Sequence, residues 1–227
     1  LCNFEMKKCI LCGACVEACP TGARTIIGND MSVDDVMAIV LRDRVFYEES
    51  GGGVTISGGE PLNQADFARA VSQSCRAEGV HVALDTCGYA EEDVFCNTVT
   101  AVDLLLFDIK LADDDAHKKW TGVDTTRIHA NLNQAARLNI PIEIRIPVIP
   151  DVNTTLREFA AIRDVLFPLR ERLQAVRLLP YHATGAAKHV RVHGIYDFDP
   201  THTITQDELH CFAHVFEDVG IPVYIGG

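Results

Sequence analysis

The chain has 227 residues, of which 48% are hydrophobic, and a formal net charge of −12. This length fits one α/β domain with a small appendage, and an acidic balance without a dense Lys/Arg run argues against a nucleic-acid or anionic-membrane partner. No apolar stretch approaches the roughly 18–20 residues that span a bilayer, and the polar, cysteine-rich first residues do not read as a signal peptide.

Five of the nine cysteines fall within the first 19 residues, a local cluster unlike the spread of a disulfide scaffold and suited to a metal site in a reducing compartment. Cys9, Cys12, Cys15 and Cys19 follow the spacing C-x2-C-x2-C-x3-C, with Pro20 next. This is the bacterial ferredoxin run: the short spacings let three thiolates of one loop converge on the corners of a [4Fe–4S] cubane, while the fourth, here Cys19, usually reaches the other cluster of a two-cluster pair, which leaves one or two auxiliary clusters open. A zinc knot would pair two C-x2-C hooks across a longer gap. Cys2 is open as a further ligand or a bystander. The module covers residues 1–30, and a second unit, 31–227, follows a boundary near Gly28–Ser32.

The second unit alternates helix and strand. Ser32 with Asp35 reads as a capping box, and Val33, Val36, Met37, Val40, Leu41 and Val45 then recur at helical spacing up to the Ser50–Gly53 break. Six short apolar runs are predicted strands: Val54–Ser57, Val80–Leu84, Val102–Phe107, Ile142–Ile146, Val176–Leu179 and Pro222–Ile225. Helical faces lie between them at Phe67, Ala70, Val71 and Cys75, and at Leu156, Phe159, Ile162, Val165, Leu166 and Leu169 behind a Thr155–Glu158 box. A last helical face is Leu209, Phe212, Val215 and Phe216. Strands buried on both faces and separated by helices predict a parallel sheet. Cys75, Cys96 and Cys211 read as packing residues, and Cys87 as a strand-end residue without a metal.

In a β/α barrel, ligands bind at the C-terminal strand ends. Gly58-Gly59-Glu60-Pro61 follows the first predicted strand, Asp85-Thr86-Cys87-Gly88 the second and Asp108-Ile109-Lys110 the third; the fourth carries Arg145, and Pro180-Tyr181-His182 follows the fifth. Carboxylates there suit an amine or a cation, Lys110 and Arg145 suit a carboxylate, and His182 suits a nucleoside. Singly, the aspartates read equally well as helix caps, Arg145 as an ion-paired residue and His182 as a loop histidine. Together they point to one functional mouth.

With these motifs the sequence resembles the glycyl radical enzyme activating enzymes, relatives of pyruvate formate-lyase activating enzyme, from about Cys9 to the end. Its most specific segments are Gly51–Leu62, Asp85–Tyr89, Phe107–Lys110 and Leu179–His182 with Gly185 and Lys188. The resemblance implies a partial (β/α) barrel of the radical S-adenosylmethionine (SAM) type, lacking its first strand. It implies that Gly58, Gly59 and Glu60 meet the SAM amino group, that Asp108, Ile109 and Lys110 meet its carboxylate with Arg145 nearby, and that His182 lies beside its nucleoside. Asp85, Thr86 and Asp108 match positions that hold a monovalent cation in some members. In such enzymes a [4Fe–4S] cluster with one open iron cleaves SAM, and the resulting 5′-deoxyadenosyl radical takes a hydrogen atom from a backbone glycine of a partner enzyme. A flavodoxin or ferredoxin would supply the electron, in an anaerobic cytoplasm.

One departure is plain. No C-x3-C-x2-C triplet, which would hold the open-iron cluster, occurs among the nine cysteines; Cys15 and Cys19 have the first gap, but position 22 is Gly. The expectation is an N-terminally truncated chain, inactive alone, that keeps only the auxiliary ferredoxin-type cluster. The rival expectations are a ferredoxin-type electron-transfer protein on an inert barrel, or another radical SAM enzyme such as an anaerobic ribonucleotide reductase activase.

Overall fold

The computed structural model describes residues 9–10, 12–26, 28–182 and 203–226. Cys2, Gly185 and Lys188 lie outside the described residues. The cysteine segment holds one short helix, α1 (Ala14–Glu17), which buries nothing. The α/β body begins at α2 (Val33–Val40), where Ser32 and Asp35 form the expected reciprocal cap. The expected single helix is instead interrupted: a 3-10 turn, Leu41–Asp43, separates α2 from α3 (Arg44–Ser50).

Six parallel strands then pair in sequence order: β1 (Gly53–Ile56), β2 (His81–Thr86), β3 (Leu104–Asp108), β4 (Ile142–Val148), β5 (Leu173–Pro180) and β6 (Val223–Ile225). The connecting helices are α4 (Ala65–Ala77), α5 (Glu92–Val99), α6 (Asp114–Thr121), α7 (Thr126–Arg137), α8 (Leu156–Leu166) and α9 (Gln206–His214). Parallel neighbours need such crossovers, because a tight turn cannot return the chain to the same end of the sheet. This is the α/β, partial-barrel architecture expected.

Side chains alternate across each strand, and the two faces of this sheet differ sharply. Val82 and Leu84, Leu105 and Phe107, Ile142, Ile144, Ile146 and Val148, and Val176 and Leu178 are all fully buried and form one cluster with the helices. Phe159 of α8 lies inside that cluster, stacked on Phe212 of α9 at 4.3 Å. Burying side chains of this size stabilises by about 2–3 kcal/mol each. The opposite face is only half-buried at Asp85, Leu106, Asp108, Arg145 and Arg177. Register aligns Asp108 with Arg145, Arg145 with Arg177, and Arg177 with Tyr224, so one lateral row carries charge across three strands and ends on a tyrosine of the fourth. Arg177 is bonded to Glu143 of the neighbouring strand and stacks over Tyr224 at 5.1 Å. Beside β1, at the edge of the sheet, runs a groove of about 600 Å³ lined by Val36, Val54, Ile56, Phe67 and Val71 among others.

Candidate active site

The open face leads to the C-terminal strand ends, and the residues expected there meet in specific pairs. Gly58 sits at φ 137°, a conformation that side chains rarely adopt, and turns the chain from β1 toward Glu60. Glu60 is ringed by donors. Its Oε1 accepts from the Leu62 N–H at 3.0 Å and the Thr86 hydroxyl at 2.6 Å. Its Oε2 accepts from both the N–H and the thiol of Cys87, each at 3.0 Å. Thr86 in turn accepts the Gly88 N–H at 3.0 Å. A half-buried carboxylate needs such partners, and here they come from its own loop and from the end of β2. Burial, then the Glu60 carboxylate, pushes the Cys87 thiol up to about 11.

Asp85 binds Arg145: its Oδ2 lies 2.8 Å from Nη1 and also accepts the Ser57 hydroxyl at 2.9 Å. Asp108 binds Lys110 through Oδ2 at 3.1 Å. Burial raises the Asp108 carboxyl above the ordinary carboxylate range; Lys110 opposes that shift and the charge of Asp85 adds to it. Ile109 is buried, and its N–H donates to the Arg145 carbonyl at 2.9 Å. His182 is exposed, two residues past the end of β5. A cavity of about 260 Å³ opens at the mouth, lined by Glu60, Cys87, Tyr89, Asp108, Lys110 and His117 among others; Gly58, Gly59, Asp85, Arg145 and His182 lie outside its lining.

Sequence reasoning missed the supports of this mouth. Asn131 of α7, 1% exposed, donates to the Gly88 and Ala90 carbonyls at 2.7 and 2.8 Å. Asn153, also 1% exposed, joins the loops after β3 and β4. Glu158 of α8 accepts the Ala112 N–H. The one signal in the sequence was the Pro150-Asp151 turn ahead of Asn153.

The profile of the Radical SAM superfamily matches residues 2–162. The trans-4-hydroxy-L-proline dehydratase activating enzyme of Clostridioides difficile is 38% identical over 99% of this chain and 84% of its own length. The chain belongs to the glycyl radical enzyme activating enzymes of the radical SAM superfamily. An isethionate sulfite-lyase activating enzyme of Oleidesulfovibrio alaskensis is 40% identical over 82% of this chain, which spans 60% of that relative. The crystal structure of a domain of pyruvate-formate lyase-activating enzyme from Bacteroides vulgatus superposes with a TM-score of 0.65 at 28% identity, covering 78% of this chain and 99% of that one.

The family's cofactors are SAM and a [4Fe–4S] cluster. The open mouth of this activating enzyme suits the first: Lys110 and Glu60 border one cavity and offer opposite charges to an amino-acid tail. For the second, the residues present divide. Without a C-x3-C-x2-C triplet, the chain does not fit a SAM-ligating cluster. Cys9, Cys12, Cys15 and Cys19 are exposed or half-exposed cysteines, and their donor chemistry suits iron. Among the described residues, no three metal-binding side chains are already gathered. Cys19 is lowered to about 7, first by its hydrogen bond with the Thr21 hydroxyl. Of the other cysteines, Cys75 is buried and donates to the Met37 sulfur at 3.5 Å, Cys96 is half-buried and Cys211 is exposed.

Proposed function

We propose that this chain is the SAM-binding body of an enzyme that installs a glycyl radical on a partner enzyme. Gly58, Gly59 and Glu60 meet the SAM amino group, Asp108, Ile109, Lys110 and Arg145 its carboxylate, and His182 its nucleoside. When bound, SAM is the source of the radical that takes the glycine hydrogen. The chain's own groups bind and orient it and keep water away. The observation that carries this reading is the placement of a fixed carboxylate, Glu60, and an ammonium, Lys110, around one cavity, the complement of a zwitterionic amino-acid tail.

Asp85, Thr86 and Asp108 are assigned to a monovalent cation. The first two proposed cation ligands also serve Arg145 and Glu60. Cys9, Cys12, Cys15 and Cys19 are assigned to an auxiliary [4Fe–4S] cluster in a 1–30 module, with a flavodoxin or ferredoxin as electron donor in an anaerobic cytoplasm. With no SAM-ligating triplet, these 227 residues alone are expected not to cleave SAM.

The test is anaerobic reconstitution with iron and sulfide, followed by electron paramagnetic resonance of the reduced protein. A cluster signal that SAM leaves unchanged supports an auxiliary cluster. A signal that shifts on adding SAM places an open iron at Cys9–Cys19 and overturns the assignment.

A further inference from the structure

Arg145 stands on β4 and Lys110 two residues past the end of β3, and a ligand carboxylate held by both depends on their relative height. The β3–β4 ladder ends with the Ile109 N–H on the Arg145 carbonyl at 2.9 Å. Beyond that point a side chain carries the cross-link. The Asn153 amide donates to the Lys110 carbonyl at 2.9 Å and to the Pro147 carbonyl at 2.7 Å, and its Oδ1 accepts the Ile149 N–H at 2.8 Å.

Asn153 is only 1% exposed, so these bonds are made out of reach of water, where an unmet donor is costly. The turn that presents it is built for the purpose. Asp151 takes a left-handed φ of 61°, and the N–H groups of Val152 and Asn153 both donate to the Ile149 carbonyl, at 3.2 and 3.3 Å. The first turn of α8 follows directly, capped by Thr155 on the Glu158 N–H at 3.1 Å. The Glu158 carboxylate reaches back to the Ala112 N–H. Two side chains, one from this turn and one from the start of α8, thus hold the chain on both sides of Leu111.

We propose that Asn153 is a positioning residue for ligand binding: it locks Lys110 against the strand that carries Arg145 and so sets the seat of the ligand carboxylate. This rests on the reading above that Lys110 and Arg145 receive the SAM carboxylate. Asn153 itself touches no ligand.

The probes are S-adenosylhomocysteine, which carries the amino-acid tail, and 5′-methylthioadenosine, which lacks it. Both are titrated calorimetrically into the full chain and into Asn153→Ala and Asn153→Asp. The aspartate keeps the shape and the acceptor but loses both donors. Each variant should lose about tenfold in affinity for S-adenosylhomocysteine while binding 5′-methylthioadenosine within about twofold of the parent. Equal loss for both ligands, or no loss for either, overturns the proposal and leaves Asn153 a merely structural amide. A parent chain with no preference for the tailed ligand overturns the carboxylate reading of Lys110 and Arg145 itself, and the inference with it. Should neither variant fold, hydrogen exchange of the parent decides. S-adenosylhomocysteine should slow exchange at residues 110–112 and 147–149 together, and protection confined to one of the two segments refutes the link.

Discussion

The thiol of Cys87 and the carboxylate of Glu60 share a hydrogen bond of 3.0 Å, reinforced by the Cys87 N–H on the same oxygen. Burial first, and this bond second, hold the proton on the thiol, so this cysteine at the edge of the cavity should be a weak nucleophile. Thiolate is the reactive form, and a thiol at about 11 is almost wholly protonated at neutral pH. Iodoacetamide labelling followed by mass mapping should modify exposed Cys211 well before Cys87. Glu60→Gln removes the charge that disfavours the thiolate, so labelling of Cys87 should speed up. An unchanged rate would refute the coupling.

Asp108 should leave a pH signature on stability. Its carboxyl is raised by burial, so the folded state holds this proton more tightly than the unfolded chain does. The associated stability is full below the ordinary carboxylate value and is lost as pH rises through the folded value. Asp108→Asn escapes that loss. Its melting temperature relative to the parent should therefore climb between pH 4 and pH 7. A difference that stays flat or falls across that range would count against the shift.

Gly88→Ala should be among the more damaging small changes. Gly88 sits at φ 70°, and a Cβ there would lie 2.4 Å from two atoms of the buried Phe107 ring. Left-handed strain and overpacking together should cost about 2–4 kcal/mol, or roughly 5–10 °C in melting temperature. Because the Gly88 N–H also binds Thr86, ligand affinity should fall with it. A melt within a degree of the parent would contradict the packing described.

Asp85 and Arg145 should be coupled. Both are mostly enclosed, with side chains 20% and 24% exposed, so removing one strands the charge of the other. A double-mutant cycle with Asp85→Asn and Arg145→Gln should return a coupling of about 1–2 kcal/mol. Strict additivity in denaturant melts would show that the pair contributes nothing.

The strands were legible because their composition and burial agree. Ile142, Ile144 and Ile146 read as an apolar run, and they are the closed face of β4. Ends were less clear: β5 begins at Leu173, three residues before its apolar run, because exposed Gln174 hides the start. Helix α6 left almost no trace, since it buries only His117 and its other residues are mostly polar. Helix α7 did carry a pattern, at Ile128, Leu132 and Ala135, that the reading passed over. At the mouth, the residue types were legible but their pairing was not. Asp85 could as well have been a cap, and only three-dimensional register sets it against Arg145 rather than Lys110. Asn131 and Asn153 were out of reach, because a buried amide and a surface amide look the same in a sequence.

The pairing of both cations at the mouth has a consequence for any anion that enters it. Asp108 already neutralises Lys110, and Asp85 already neutralises Arg145, whereas Glu60 is held by neutral donors. An arriving carboxylate must therefore work as in an anion exchanger, displacing a resident aspartate, while an amine meets a carboxylate that carries no counter-ion among the described residues. Such a seat gives little grip to stray anions. It favours a molecule that brings both signs at the right separation.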